Sequence, residues 1–226
     1  MSNNTLLSWS SGKDSAWALH VLRQMPDINM TGLFTTVNAR YQRVAMHAVR
    51  LQLLELQAEA AGLPLHVIEI PDPCSNEKYA EAMRRFVDKA TAQGVTHMAF
   101  GDLFLQDIRE YREKQLAATG IIPLFPLWNR PTRELAHEML DAGLRAIVTC
   151  VDPRKLPTSF TGREWSRSLL EELPDGVDPC AENGEFHTVA IAGPMFRQPI
   201  SVQIGEIVTR DGFVFADVLP VPQNRQ

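Results

Sequence analysis

The chain has little cysteine and none of the patterns that make cysteine informative. Only three occur in 226 residues, Cys74, Cys150 and Cys180, and no two form a CxxC pair. Zinc-ribbon, iron–sulfur and thioredoxin-type chemistry therefore lack sequence support, and reduced thiols in a cytosol are expected. No apolar run approaches the length of a membrane span, so no transmembrane helix is expected. Met1 to Ser15 lacks a basic stretch followed by an apolar one, which argues against a signal peptide and for a cytoplasmic protein. A Lys/Arg-rich segment is also missing, and the formal net charge is −5. Phosphate neutralisation drives docking on nucleic acid, so a large RNA partner is not expected.

What remains is an ordinary globular composition, 45% hydrophobic and 22% charged, long enough for one large domain or one with a smaller companion. Strand-like runs at Thr5–Ser8, Gly32–Val37, Leu65–Ile70 and His97–Leu103 alternate with helical patterns. The helices are expected at Lys13–Met25, from about Val44 to Ala61 with Gly62 as its stop, from an Asn76 cap to about Gln93, and on through about Ala118. Helices of that length between strands imply crossover connections and a parallel sheet covered on both faces. In such sheets ligands sit beyond the carboxyl ends of the strands. After Pro123–Trp128 the texture changes, with helices expected at Pro131–Ala142 and Gly162–Glu172 and a strand at Ala146–Val151. Phe186–Val221 reads as strands with a turn at Thr209–Gly212, and Pro222–Gln226 as a tail. The expected division is 1–130 for nucleotide binding and 131–226 for a smaller α+β acceptor-binding region.

Leu6-Leu7-Ser8-Trp9-Ser10-Ser11-Gly12-Lys13-Asp14-Ser15 carries the clearest chemistry. A strand enters a short Ser/Gly loop that opens a helix, where free amides and the dipole favour phosphate. Gly12 permits close approach, the serines donate hydrogen bonds and Lys13 supplies charge. The loop is not a Walker A motif. Leu7 occupies the first glycine position and Asp14 the Ser/Thr position. An Asp beside phosphates implies a divalent cation between them. A helix cap is the plainer explanation of the same cluster.

Further along, Gly101-Asp102 ends a strand pattern, and Asp102 reads either as facing the nucleotide or as capping the next helix. Arg112 suits a carboxylate or phosphate clamp, or a solvated helix face. Glu182 and Glu185 flank Asn183-Gly184 in a turn that suits ammonium binding or proton transfer, or a plain acidic turn. His187 and His47 read as structural, and Trp9, Trp17 and Trp128 as core.

Ser10-Ser11-Gly12-Lys13-Asp14-Ser15 resembles the Ser-Gly-Gly-x-Asp-Ser signature of the PP-loop (N-type) ATP pyrophosphatases, with Ser11 in place of a glycine. Gly101-Asp102-Leu103-Phe104, Asp107, Arg112, Pro123–Trp128, Arg130, Cys180–Thr188 and Gly193–Phe196 extend the likeness to the diphthine–ammonia ligase family. Ala181 replaces another family glycine, and the stretch from Val151 to Gly162 differs from the eukaryotic members. The resemblance covers about residues 6–197. It implies an adenine nucleotide alpha hydrolase-like, Rossmann-like fold, with ATP bound by Ser10, Ser11, Gly12, Lys13, Asp14, Ser15, Gly101 and Asp102. It further implies catalysis by Lys13, Asp14, Asp102, Glu182 and Glu185, with Arg112, Glu182, Asn183 and Glu185 at the acceptor, and it allows a homodimer. ATP and Mg2+ are the expected cofactors and ammonia the nitrogen donor, because no glutaminase nucleophile is evident. The expected reaction adenylylates an unidentified carboxylate, releases pyrophosphate and forms an amide. Members that make diphthamide act on an elongation factor of archaea and eukaryotes, while short bacterial relatives carry the motifs without that target. A tRNA-modifying PP-loop enzyme and a nucleotide sensor without turnover are the alternatives. No set of metal ligands can be read from the sequence.

Overall fold

The structure, a computed structural model, describes residues 3–44 and 49–221. Met46 and His47, and the Pro222–Gln226 tail, lie outside the described residues. The first half contains strands β1 (Asn3–Ser8), β2 (Ile28–Asn38), β3 (Arg43–Val44), β4 (Leu65–Ile70), β5 (His97–Ala99) and β6 (Ile122–Leu124). Helices α1 (Lys13–Leu22), α2 (Leu51–Ala61), α3 (Asn76–Ala92) and α4 (Gln106–Leu116) connect them. Leu33 and Phe34 of β2 pair with β1 on one edge and β4 on the other, giving the spatial order β4-β2-β1-β5-β6. All these pairings are parallel, and β3 alone runs antiparallel, on the end of β2. This is the expected Rossmann-like α/β architecture. Its order reverses between β1 and β5, the crevice where such sheets bind ligands.

Side-chain alternation along the strands feeds both faces. Leu7 and Ala99 join the core under α1 and α2, while Leu6, Met98 and Phe100 join the core under α3 and α4. The second half folds as the expected smaller α+β unit: α5 (Thr132–Asp141), β7 (Arg145–Val151), β8 (Glu164–Trp165), α6 (Arg167–Glu171), β9 (Phe186–Ala192), β10 (Val202–Arg210) and β11 (Phe213–Pro220). Its sheet is antiparallel throughout, with β7 central. The larger apolar cluster is continuous from Leu7 and Leu33 into Val148 and Val189, so the two sheets share a core. Asp217 on β11 reinforces the junction by accepting from Arg43 at 3.0 Å and Arg50 at 2.5 Å.

Several local expectations change. The long helix from Val44 begins only at Leu51, because Val44 bonds the carbonyl of Val49 and Arg50 is extended. Ser75, rather than Asn76, caps α3, its hydroxyl accepting from the Lys78 amide at 3.3 Å. The strand at His97 stops at Ala99 rather than Leu103. The expected helix from Gly162 forms only over Arg167–Glu171: Gly162 has φ 81°, β8 pairs with β7, and Ser166 caps the short α6. The edge strand β6 was not foreseen, since Pro123 at its centre weakens the strand signal. The Leu65–Ile70 strand and the left-handed Gly62 stop, φ 67°, are as expected. No helix among the described residues is long and apolar enough to cross a membrane.

Candidate active site

The loop Trp9–Gly12 leaves β1 at the switch point and turns directly into α1. Ser11 at its centre is buried and left-handed, φ 72°, which explains why a glycine suits this place in the related signature. Its carbonyl accepts from the Ala190 amide of β9 at 2.9 Å. Ser10 Oγ lies 3.1 Å from Ser15 Oγ and accepts from the Gly12 amide at 3.3 Å, while the Lys13 amide donates to Thr188 Oγ1 at 3.2 Å. The β5 end packs against this turn by main chain alone. A Cβ on Gly101 would meet Ser15 N at 3.0 Å, so the glycine permits this close approach.

Lys13 is 2% exposed. Its ammonium donates to Asp14 Oδ2 at 2.9 Å and to the Cys180 carbonyl at 2.5 Å, and lies over the rings of Trp165 and Phe186. Burial disfavours that charge, but Asp14 and the other negative neighbours outweigh it and hold the ammonium above its ordinary pKa. Burial raises the Asp14 carboxyl, with Lys13 opposing. Asp14 Oδ1 is buried without a hydrogen-bond partner.

Facing this loop is the turn Asp178–Thr188 of the second half. Glu182 Oε1 accepts from the Leu103 amide at 2.8 Å, and the Glu182 amide donates to Asp178 Oδ2 at 2.8 Å. Burial pushes Glu182 up to about 7; Leu103 opposes this, and Asp14 and Asp102 add to it. Burial and the Lys13 charge pull His187 down to about 4. Asp102 does not cap α4, whose cap is Leu105. Instead Asp102 accepts from Arg112 at 2.5 and 3.1 Å, and the guanidinium stacks 4.4 Å over Phe100.

One cavity of about 250 Å³ gathers Ser10, Gly12, Lys13, Asp14, Ser15, Gly101, Asp102, Arg112 and Glu182, together with Cys180, Ala181, Phe186, His187 and Thr188. Three expected site residues do not line it. Ser11 lies behind the loop. Asn183 is exposed, its carbonyl accepting from Lys155 at 2.6 Å. Glu185 is 3% exposed and accepts from the Asp178 amide and the Asn183 side chain, both at 3.2 Å, while its Oε2 is buried without a partner. Trp9 and Trp17 are core as expected. Sequence reasoning gave no role to Asp178, whose carboxylate accepts within its own turn from the Glu182 amide, or to Thr188 and Gln57, whose partners lie far along the chain. A larger cavity, about 640 Å³, lies between α3 and α4 and shares Arg112 with the first.

A Ser/Gly/Asp loop at the switch point of the parallel sheet β4-β2-β1-β5-β6 defines a PP-loop protein. The diphthamide synthase N-terminal domain model matches residues 3–122 and the diphthamide synthase C-terminal domain model residues 131–217. The chain therefore belongs to the diphthamide synthase family. It is similar to the diphthine–ammonia ligase of Bos taurus, 28% identical over 92% of this chain and 86% of that one. The Homo sapiens protein of the same name is 27% identical with the same coverage. The Danio rerio one is 29% identical over 79% of this chain and 74% of its own.

Proposed function

We propose that this protein is an ATP-dependent, AMP-forming ligase that amidates a carboxylate with ammonia; the name of its relatives supports the ligase and the ammonia. The observation that carries this is the single cavity in which the phosphate-type loop of one half meets Glu182 of the other. Residues 1–130 then bind the nucleotide, and 131–226 close over it and contribute to the acceptor side. The Ser10–Ser15 turn and Lys13 hold the β- and γ-phosphates. The acceptor oxygen attacks the α-phosphorus, the bond to pyrophosphate breaks, and an acyl-adenylate forms. Ammonia then adds to the acyl carbon, AMP departs, and Glu182 receives the proton ammonia loses. Arg112 uses its Nε and Nη2 for Asp102, which leaves the Nη1 edge to orient the acceptor carboxylate. The α3–α4 cavity on the other side of Arg112 has room for the rest of the acceptor.

Among the described residues no three His, Cys, Asp or Glu side chains are grouped to hold a metal alone. Mg2+ typically binds through one or two carboxylates plus substrate phosphates, and the partnerless Asp14 Oδ1 fits that use. The ion would offset phosphate charge there.

Product analysis tests the reaction directly. Incubation with ATP, ammonium and a panel of carboxylic acids is expected to yield AMP and pyrophosphate with an active acceptor, and ATP–pyrophosphate exchange to depend on that acceptor. Formation of ADP and orthophosphate would overturn the assignment.

A further inference from the structure

Gln57 lies on the buried face of α2 with 0% exposure. Its Oε1 accepts from Trp9 Nε1 at 2.8 Å, and its Nε2 donates to the Ser11 carbonyl at 3.0 Å and the Ala190 carbonyl at 2.7 Å. An indole N–H only donates and a backbone carbonyl only accepts, so this set of partners fixes which end of the amide points where. The Ser11 carbonyl also accepts from the Ala190 amide at 2.9 Å. Ser11 therefore has two donors on one carbonyl while holding φ 72°, a conformation that residues with a side chain seldom adopt.

We infer that Gln57 is a positioning residue for the phosphate loop: it clamps the Ser11 carbonyl onto β9 and so keeps residue 11 left-handed. The loop's shape is then set jointly by α2 and the second sheet, through a residue that touches no phosphate. This rests on the proposed role of the Ser10–Ser15 turn in gripping pyrophosphate. In the related signature a glycine at this place needs no such clamp, because it adopts the left-handed conformation without a steric penalty.

The test is calorimetric titration with inorganic pyrophosphate, ATP and adenosine, with melting temperatures recorded alongside, so no acceptor is needed. Gln57→Met is expected to weaken pyrophosphate and ATP about tenfold, the scale of one net hydrogen bond's worth of loop order, while adenosine changes about twofold or less. Adding Ser11→Gly to Gln57→Met is expected to restore most of the loss. Should Gln57→Met not fold, Gln57→Asn carries the same expectation, since its amide falls one methylene short of Ser11. Unchanged pyrophosphate affinity in a folded Gln57 variant overturns the inference. So does an equal loss for adenosine, or a Ser11→Gly effect that is merely additive. If the wild-type chain binds neither ATP nor pyrophosphate, the proposed function falls and this inference with it.

Discussion

The two walls of the cavity are built from opposite materials. The β1–α1 wall offers hydroxyls, backbone amides and one ammonium, all from the consecutive residues Ser10 to Ser15. The Asp178–Thr188 wall offers one carboxylate, Glu182, and a neutral imidazole, and is placed by contacts that span the chain, such as Leu103 to Glu182. A wall of donors suits a polyanion. A wall whose one cavity-lining acid titrates near neutrality suits proton traffic. The comparison teaches that neither half contains a complete site.

The sharpest way to break that comparison is Asp14→Ala. Asp14 is the one carboxylate on the donor wall, and the variant is expected to abolish acceptor-dependent pyrophosphate release while keeping its far-UV spectrum at about 25 °C, with a lower melt because buried Lys13 loses its counter-charge. Turnover at the wild-type rate would remove Asp14 from the chemistry.

Glu182→Gln is expected to have the next largest effect. The wild type needs ionised Glu182 to take up a proton, so amide formation should rise with pH through about 7 at constant free ammonia. The variant should lose that limb and about 10²-fold in amidation rate, with ATP–pyrophosphate exchange largely kept. Stability gives a second readout. Folded Glu182 holds its proton to about 7, against an ordinary 4.5, so ionising it across that window weakens the fold. Relative to Glu182→Gln, the wild type should therefore lose stability from pH 5 to 7. Parallel stability profiles would contradict the raised pKa.

The smallest expected effect is a gain. Ala181, on the acidic wall, is left-handed at φ 59° where related sequences carry glycine. Ala181→Gly relieves about 1–2 kcal/mol of backbone strain and forfeits about 0.4–1 kcal/mol through the freer unfolded chain. A net stabilisation of roughly 0.5–1 kcal/mol should follow, read as a higher urea midpoint. A lower midpoint would show that strain is not what position 181 carries.

The same contrast explains what could be read from the sequence. The donor wall was legible because strand, loop and helix start lie side by side in the chain. Leu65–Ile70 was legible because Gly62 and the Pro71–Pro73 turn bracket it. Val44, Val49 and Arg50 read as helix because the apolar spacing continues unbroken through them, whereas Arg43 and Arg50 answer to Asp217, far along the chain. Glu182 and Glu185 stood out as a pair, yet nothing local says that only Glu182 lines the cavity. Gln57 was illegible for a related reason: a glutamine turned inward on an amphipathic helix is spelled like one turned outward.

Gly101 deserves a last consequence. Because the β5 loop rests on the first turn of α1 with bare main chain against main chain, no side chain there can absorb a shift by changing rotamer. The joint has no cushion: displacing one segment drags the other, and a single added methyl would push the start of α1 aside by a few tenths of an ångström.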